Sequence, residues 1–113
     1  MDVGVIDRDD PEVTMDDGKL VRDGIPGIIK DAGGCPNVRE LDDAAYRAAL
    51  RKKLLEETEE FLDGGDVAEL ADILEVVYAL ALSEHLTPFE LEAMRQMKRS
   101  ERGGFDRRLF LRR

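Results

Sequence analysis

The sequence predicts an all-α fold: a helical bundle built on an antiparallel helix hairpin and completed by oligomerisation. Three observations lead there. The run from Val67 to Leu82 is apolar almost all the way round a helix, no segment alternates as a half-buried strand would, and glycine pairs at 33–34, 64–65 and 103–104 punctuate the chain at helix-length intervals. At 113 residues the chain makes one domain whose own core is modest, so association with further copies is a natural supplement.

Taken in order, Met1 to Asp17 holds seven acids (Asp2, Asp7, Asp9, Asp10, Glu12, Asp16 and Asp17) against Arg8 alone, with no sustained period. It reads as an acidic mobile tail, leaving residues 18–113 as the folded domain. From Lys19 to Lys30 the pattern turns amphipathic, and Pro26 fits the first turn of a short helix ending near Gly33-Gly34. Residues 33–37 read as a loop. A long helix starts at Asp42 or Asp43 and runs to about Leu62, where Gly64-Gly65 stops it. Its stripe is centred on Leu50, Leu54, Thr58 and Phe61. Asp66 suits the N-cap of the next helix, which reaches about Glu84 and is apolar enough to require burial. Thr87, Pro88 and Glu90 supply a cap, a first-turn proline and a capping-box acid to the last helix, with Leu91, Met94 and Met97 as its buried stripe. Phe105 to Arg113 is short, basic and partly apolar, and is expected to pack as an extended arm.

Acids outnumber bases 26 to 17, a net charge of −9, which argues against a nucleic-acid polymer or an anionic membrane as the main partner. Cys35 is the single cysteine and cannot form an internal disulfide; it reads as a loop residue beside Pro36. No stretch approaches a membrane span and the start of the chain lacks the pattern of a secretory signal, so the expected location is cytoplasmic.

The chemistry lies in the carboxylates. Glu69, Asp72 and Glu75 share one narrow side of the otherwise apolar run, and no base lies within it. An ionised carboxylate buried without a partner costs several kcal/mol, roughly, so these groups must be neutralised, paired or bound to a cation. The preceding helix carries Glu56, Glu57, Glu59 and Glu60, of which Glu57 and Glu60 flank its apolar stripe. The short 64–65 turn lets the pairs Glu57/Glu60 and Glu69/Asp72 converge. Four carboxylates without an imidazole suit a hard cation, Mg²⁺ or Mn²⁺. His85 and Cys35 are the chain's only histidine and cysteine, which speaks against zinc. Other roles compete. Glu56 and Glu59 fit a solvated face paired with Lys52 and Lys53. Glu69 would sit at the third position of a capping box if Asp66 is the cap. Glu75 fits a further metal contact, an orienting group, or the partner of an arginine from another subunit.

Four blocks in fixed order resemble the all-α nucleoside triphosphate pyrophosphatase superfamily, in particular its MazG-like and phosphoribosyl-ATP pyrophosphohydrolase-like members. They are Lys19-Leu20-Val21-Arg22-Asp23 with Ile25-Pro26, Glu56-Glu57-Thr58-Glu59-Glu60 as EExxE, Glu69-Leu70-Ala71-Asp72 as ExxD, and Glu101-Arg102-Gly103-Gly104-Phe105. The resemblance covers most of the chain from Lys19 onward. It implies Mg²⁺ held by Glu57, Glu60, Glu69 and Asp72, with Glu56 as an alternate, and cleavage of a nucleotide between its α and β phosphates to a monophosphate and pyrophosphate. The chain departs from the pattern at Gly24, where related sequences often carry lysine, and in a shorter spacer between Glu60 and Glu69 than typical MazG proteins have.

A triphosphate must be drawn to so acidic a site by metal and by separately placed bases, for which Lys19, Arg22, Lys53, Lys98 and Arg102 are the candidates. Glu56 or Glu60, if not fully engaged with metal, would orient or deprotonate the attacking water. Tyr46, Tyr78, Phe89 and Phe105 are the aromatics able to stack on a base, the first three also reading as core. The apolar Val67–Leu82 helix calls for a homodimer or homotetramer. A non-catalytic helical module binding metal or a basic partner would show the same fold.

Overall fold

A computed structural model describes residues 18–113; the expected acidic tail of residues 1–17 lies outside the described residues. Within them the chain forms four helices and no strand: α1 (Ile25–Asp31), α2 (Asp43–Leu62), α3 (Ala68–Ser83) and α4 (Pro88–Arg102). Each boundary has a local cause. Pro26, whose fixed φ suits a first turn, opens α1. Asp42 caps α2, its carboxylate accepting from the Ala45 amide at 2.8 Å. Gly64 ends that helix region with φ +86°, a value that L side chains rarely adopt. The start of α3 differs from expectation: Asp66 accepts from the Ala68 amide at 2.9 Å, and Val67 is the boundary residue. The capping box of α4 forms as the sequence predicts, with the Glu90 amide donating to Thr87 Oγ1 at 3.1 Å and the Thr87 amide donating to Glu90 Oε1 at 2.9 Å. Thr87→Ala is expected to cost about 1 kcal/mol in a denaturant titration, since it exposes one N-terminal amide of a helix otherwise weakly held.

The core sits between α2 and α3, the principal packing pair, which are joined by residues 63–67. Its buried apolar residues among those described are few and mostly small: Ala45, Ala49, Leu50, Val76 and Ala81. Alanines on both helices permit close approach of the backbones. Leu54, Thr58 and Phe61 of the α2 stripe are half-buried.

Burial falls short of the sequence expectation on α3, on α4 and after α4. On α3, Val67, Leu70, Leu74 and Leu82 remain 46 to 78 % exposed, because α2 covers only one side. On α4, Met94 and Met97 are exposed and Leu91 alone of the stripe is half-buried, because the main packing partner of α4 is the neighbouring α3 and their contact is small. The segment after α4 does not pack as an arm: Phe105, Leu109, Phe110 and Leu111 are all largely exposed, and Asp106 with Arg99 at 3.4 Å is its one ion pair among the described residues. Phe89 is exposed and not core, whereas Tyr46 and Tyr78 are half-buried. By helical geometry Val67, Leu70, Leu74 and Leu82 form a single stripe on the side of α3 opposite Val76. Among the described residues none covers it fully.

Another surface of α4 is locally satisfied. The Arg95 guanidinium donates to both oxygens of Glu92 at 2.8 Å and, with the Gln96 amide, holds that carboxyl down to about 2. Among the described residues no helix is long and apolar enough to cross a membrane.

Candidate metal centre

The site begins at the turn between α2 and α3. Gly65 lies so close to the end of α2 that an added Cβ would come within 2.7 Å of the Glu60 carbonyl oxygen, 2.8 Å of Phe61 Cα and 2.9 Å of Glu69 Cγ. Only glycine permits this approach, and through it the acidic ends of the two helices are held together. Gly65→Ala must push the backbone of α2 away from Glu69. The expected cost is about 1–3 kcal/mol in a thermal melt, with a measurable loss of divalent-cation affinity.

Beside this turn Glu57, Glu69 and Asp72 each offer one oxygen, and the three oxygens lie within 4.8 Å of one another. Glu57 is 8 % exposed, among the described residues the only charged one that is buried, while Glu69 and Asp72 are half-buried. Each has a different fate. Glu57 Oε2 pairs with Lys53 Nζ at 3.4 Å, one turn earlier on α2. Asp72 Oδ1 accepts from Arg22 Nη2 at 2.6 Å, a contact that spans 50 residues. Glu69 Oε1 is sealed from solvent and has no hydrogen-bond partner among the described residues. The alternative role for Glu69, closing a capping box on Asp66, is therefore not the one its Oε1 adopts. Desolvation raises the Glu69 carboxyl above its ordinary pKa, and the charges of Glu60, Asp72, Glu57 and Asp66 add to the rise.

The donor set fits a hard divalent cation. Three carboxylate oxygens already within 4.8 Å of one another can be gathered on one ion by side-chain adjustment. An orphaned, buried carboxylate oxygen among like charges is the arrangement that a cation relieves.

The three carboxylates line a cleft of about 660 Å³ between the 19–25 segment, α2 and α3. Of the remaining sequence candidates, the cleft gathers Glu60, Glu75, Lys19, Arg22 and Lys53. Glu60 is exposed at its edge and stands outside the close triad, although its charge reaches Glu69. Glu56 is turned away, 3.9 Å from Lys53. Lys98 and Arg102 lie exposed on α4 and do not line the cleft. Tyr46 is the one candidate aromatic on its wall. The sequence reading missed Asp23, which also lines the cleft. Its position directly after Arg22 was the available signal. No protein-family model, curated protein or solved structure matches the chain.

Proposed function

We propose that the chain is a Mg²⁺-dependent nucleotide pyrophosphohydrolase, splitting a nucleoside triphosphate or a phosphoribosyl-ATP-like substrate between its α and β phosphates. One observation carries the reading: Glu57, Glu69 and Asp72 converge, with one oxygen partnerless among the described residues, in a cleft also lined by Lys19, Arg22 and Lys53. Carboxylates alone would repel a polyphosphate and bases alone would not activate water. Their combination suits a charged phosphoanhydride. The resemblance of the four sequence blocks to the all-α pyrophosphatases supports the same conclusion.

In this reading Glu57, Glu69 and Asp72 hold the metal, with Mn²⁺ as a substitute. Bound there, the ion would polarise the phosphorus and lower the pKa of a water molecule. Glu60, which lines the cleft outside the triad, would accept the proton of that water. Lys19, Arg22 and Lys53 neutralise the phosphate oxygens, Arg22 with a planar fork suited to them. Tyr46 offers a ring beside the cleft for the base or sugar.

The fold reading extends to assembly. α2 and α3 form an antiparallel hairpin, and the bare stripe of Val67, Leu70, Leu74 and Leu82 is covered by a second copy, giving a homodimer or a homotetramer. A scattering mass equal to one chain would rule this out. The location is cytoplasmic and the partners include neither nucleic-acid polymer nor membrane.

A second reading is favoured by the distance of Lys98 and Arg102 from the cleft, which leaves fewer phosphate contacts: a non-catalytic helical module that binds metal or a basic partner. Incubation with Mg²⁺ and a panel of ordinary, deoxy and modified nucleoside triphosphates plus phosphoribosyl-ATP separates the two. Metal-dependent release of pyrophosphate, not orthophosphate, is the expected outcome. No turnover on any substrate, from protein with an intact helical signal, would favour the binding module.

A further inference from the structure

We propose that the cleft takes its divalent cation together with a polyphosphate, as a chelate, in preference to the free ion, because Arg22 and Lys53 hold two of the three converging carboxylates until an anion draws them off. This inference rests on the metal-centre reading above and adds to it the order and coupling of binding.

The geometry supplies the argument. Arg22 sits on Asp72 at 2.6 Å and Lys53 on Glu57 at 3.4 Å, so both bases occupy carboxylates that a cation would need. A free ion competes with both for the carboxylates and gathers beside two positive groups, with no anion to receive them. A polyphosphate changes the exchange. Its oxygens accept the guanidinium and the ammonium as the carboxylates turn to the metal, so each charge trades one partner for another and none is stranded.

The two locks differ in strength. Arg22 and Asp72 are 57 % and 42 % exposed at their side chains, an ion pair that water and salt screen and that opens readily. Lys53 and Glu57, at 22 % and 11 %, are more withdrawn from solvent, and Lys53 has less freedom to leave without a new partner. Lys19 lines the same cleft and has no ion-pair partner among the described residues. It is the base already available to meet an incoming anion. The coupling is reciprocal: the metal-free cleft, with Arg22 and Lys53 tied to acids, should bind polyphosphate poorly.

The test is Mn²⁺ affinity on the full chain, measured by electron paramagnetic resonance at buffered free Mn²⁺, with and without inorganic pyrophosphate as the probe. Pyrophosphate is expected to tighten Mn²⁺ binding about tenfold or more, within the usual range of coupling between two sites. Arg22→Gln is expected to bind Mn²⁺ alone several-fold more tightly than the wild type and to respond less to pyrophosphate. Lys53→Gln should shift both quantities in the same directions. A purely structural loss of the Arg22 contact would not tighten metal binding. Wild-type protein that binds Mn²⁺ equally with and without pyrophosphate, or variants that bind free Mn²⁺ no better than wild type, would overturn the coupling while leaving the metal centre intact. Absence of Mn²⁺ binding under both conditions would overturn the metal centre and the coupling together.

Discussion

Asp72→Asn is expected to lower kcat/KM for pyrophosphate release by a factor on the order of 10³, with the helical content and thermal midpoint almost unchanged. A metal's charge stabilisation at a transition state is worth several kcal/mol, and each ~1.4 kcal/mol is a factor of ten in rate, so the loss of one ligand accounts for such an effect. The fold should tolerate the change. The Asp72 side chain is 42 % exposed and its pair with Arg22 is of the solvated kind, contributing at most about 1 kcal/mol to stability. Measured over a range of Mg²⁺ concentrations, the variant should also need far more metal. A variant retaining wild-type turnover would remove Asp72 from the catalytic centre, and one that unfolds would show that its role is structural.

The metal-free protein should lose stability as pH rises above the ordinary glutamate range, and Glu69→Gln should remove that loss. Burial and four neighbouring carboxylates raise the Glu69 pKa from its ordinary 4.5. The folded state therefore holds this proton more tightly than the unfolded chain does. Its stabilising contribution is complete below pH 4.5 and disappears as pH climbs through the raised value. In paired thermal melts the difference between Glu69→Gln and wild type should be small below that range and grow in favour of the variant toward neutral pH. Divalent metal should reverse the order. At a metal concentration about 100 times its dissociation constant the wild type gains about 2.7 kcal/mol, a rise on the order of 10 °C for a domain this small. The glutamine variant, lacking one ligand, should gain much less. A pH-independent difference between the two proteins would mean that Glu69 is not under charge strain.

Helix content and helix ends were legible in the sequence because they depend on neighbours in the chain. Asp42, Pro26, Gly64 and the Thr87–Glu90 pair act over a few residues, and each appears where its type predicts. The pairing of Glu57 with the ExxD residues was legible for a related reason: a turn of a few residues leaves two helices few ways to meet. What the sequence did not disclose depends on distant or missing neighbours. Arg22 was recognisable as a base near the site, but its seat on Asp72 is made across 50 residues and follows from no local pattern. The N-cap strength of Asp66 favoured a capping box with Glu69, yet the carboxylate of Asp66 settles on the Ala68 amide and the Glu69 oxygen is left without a partner. Met94, Met97 and Phe89 have the apolar character of core residues, yet among the described residues they remain exposed. Hydrophobic periodicity identifies a face that requires cover without stating which chain covers it.

The uneven sequence spacing of the site has a kinetic consequence. Glu57 and Asp72 are separated by 15 positions and a glycine turn, whereas Arg22 and Asp72 are separated by 50. Closing the longer loop costs about 1 kcal/mol more chain entropy than the shorter one, since each doubling costs about 0.6 kcal/mol. Local contacts form first in helical proteins. During refolding the acids should collect at the α2–α3 turn, with Glu57 paired to Lys53 on its own helix, before Arg22 arrives to neutralise Asp72, so the early compact state is more strongly self-repelling than the native one. Divalent cations or high salt present at that moment should speed folding, whereas the same additions after Arg22 has docked should have less to screen.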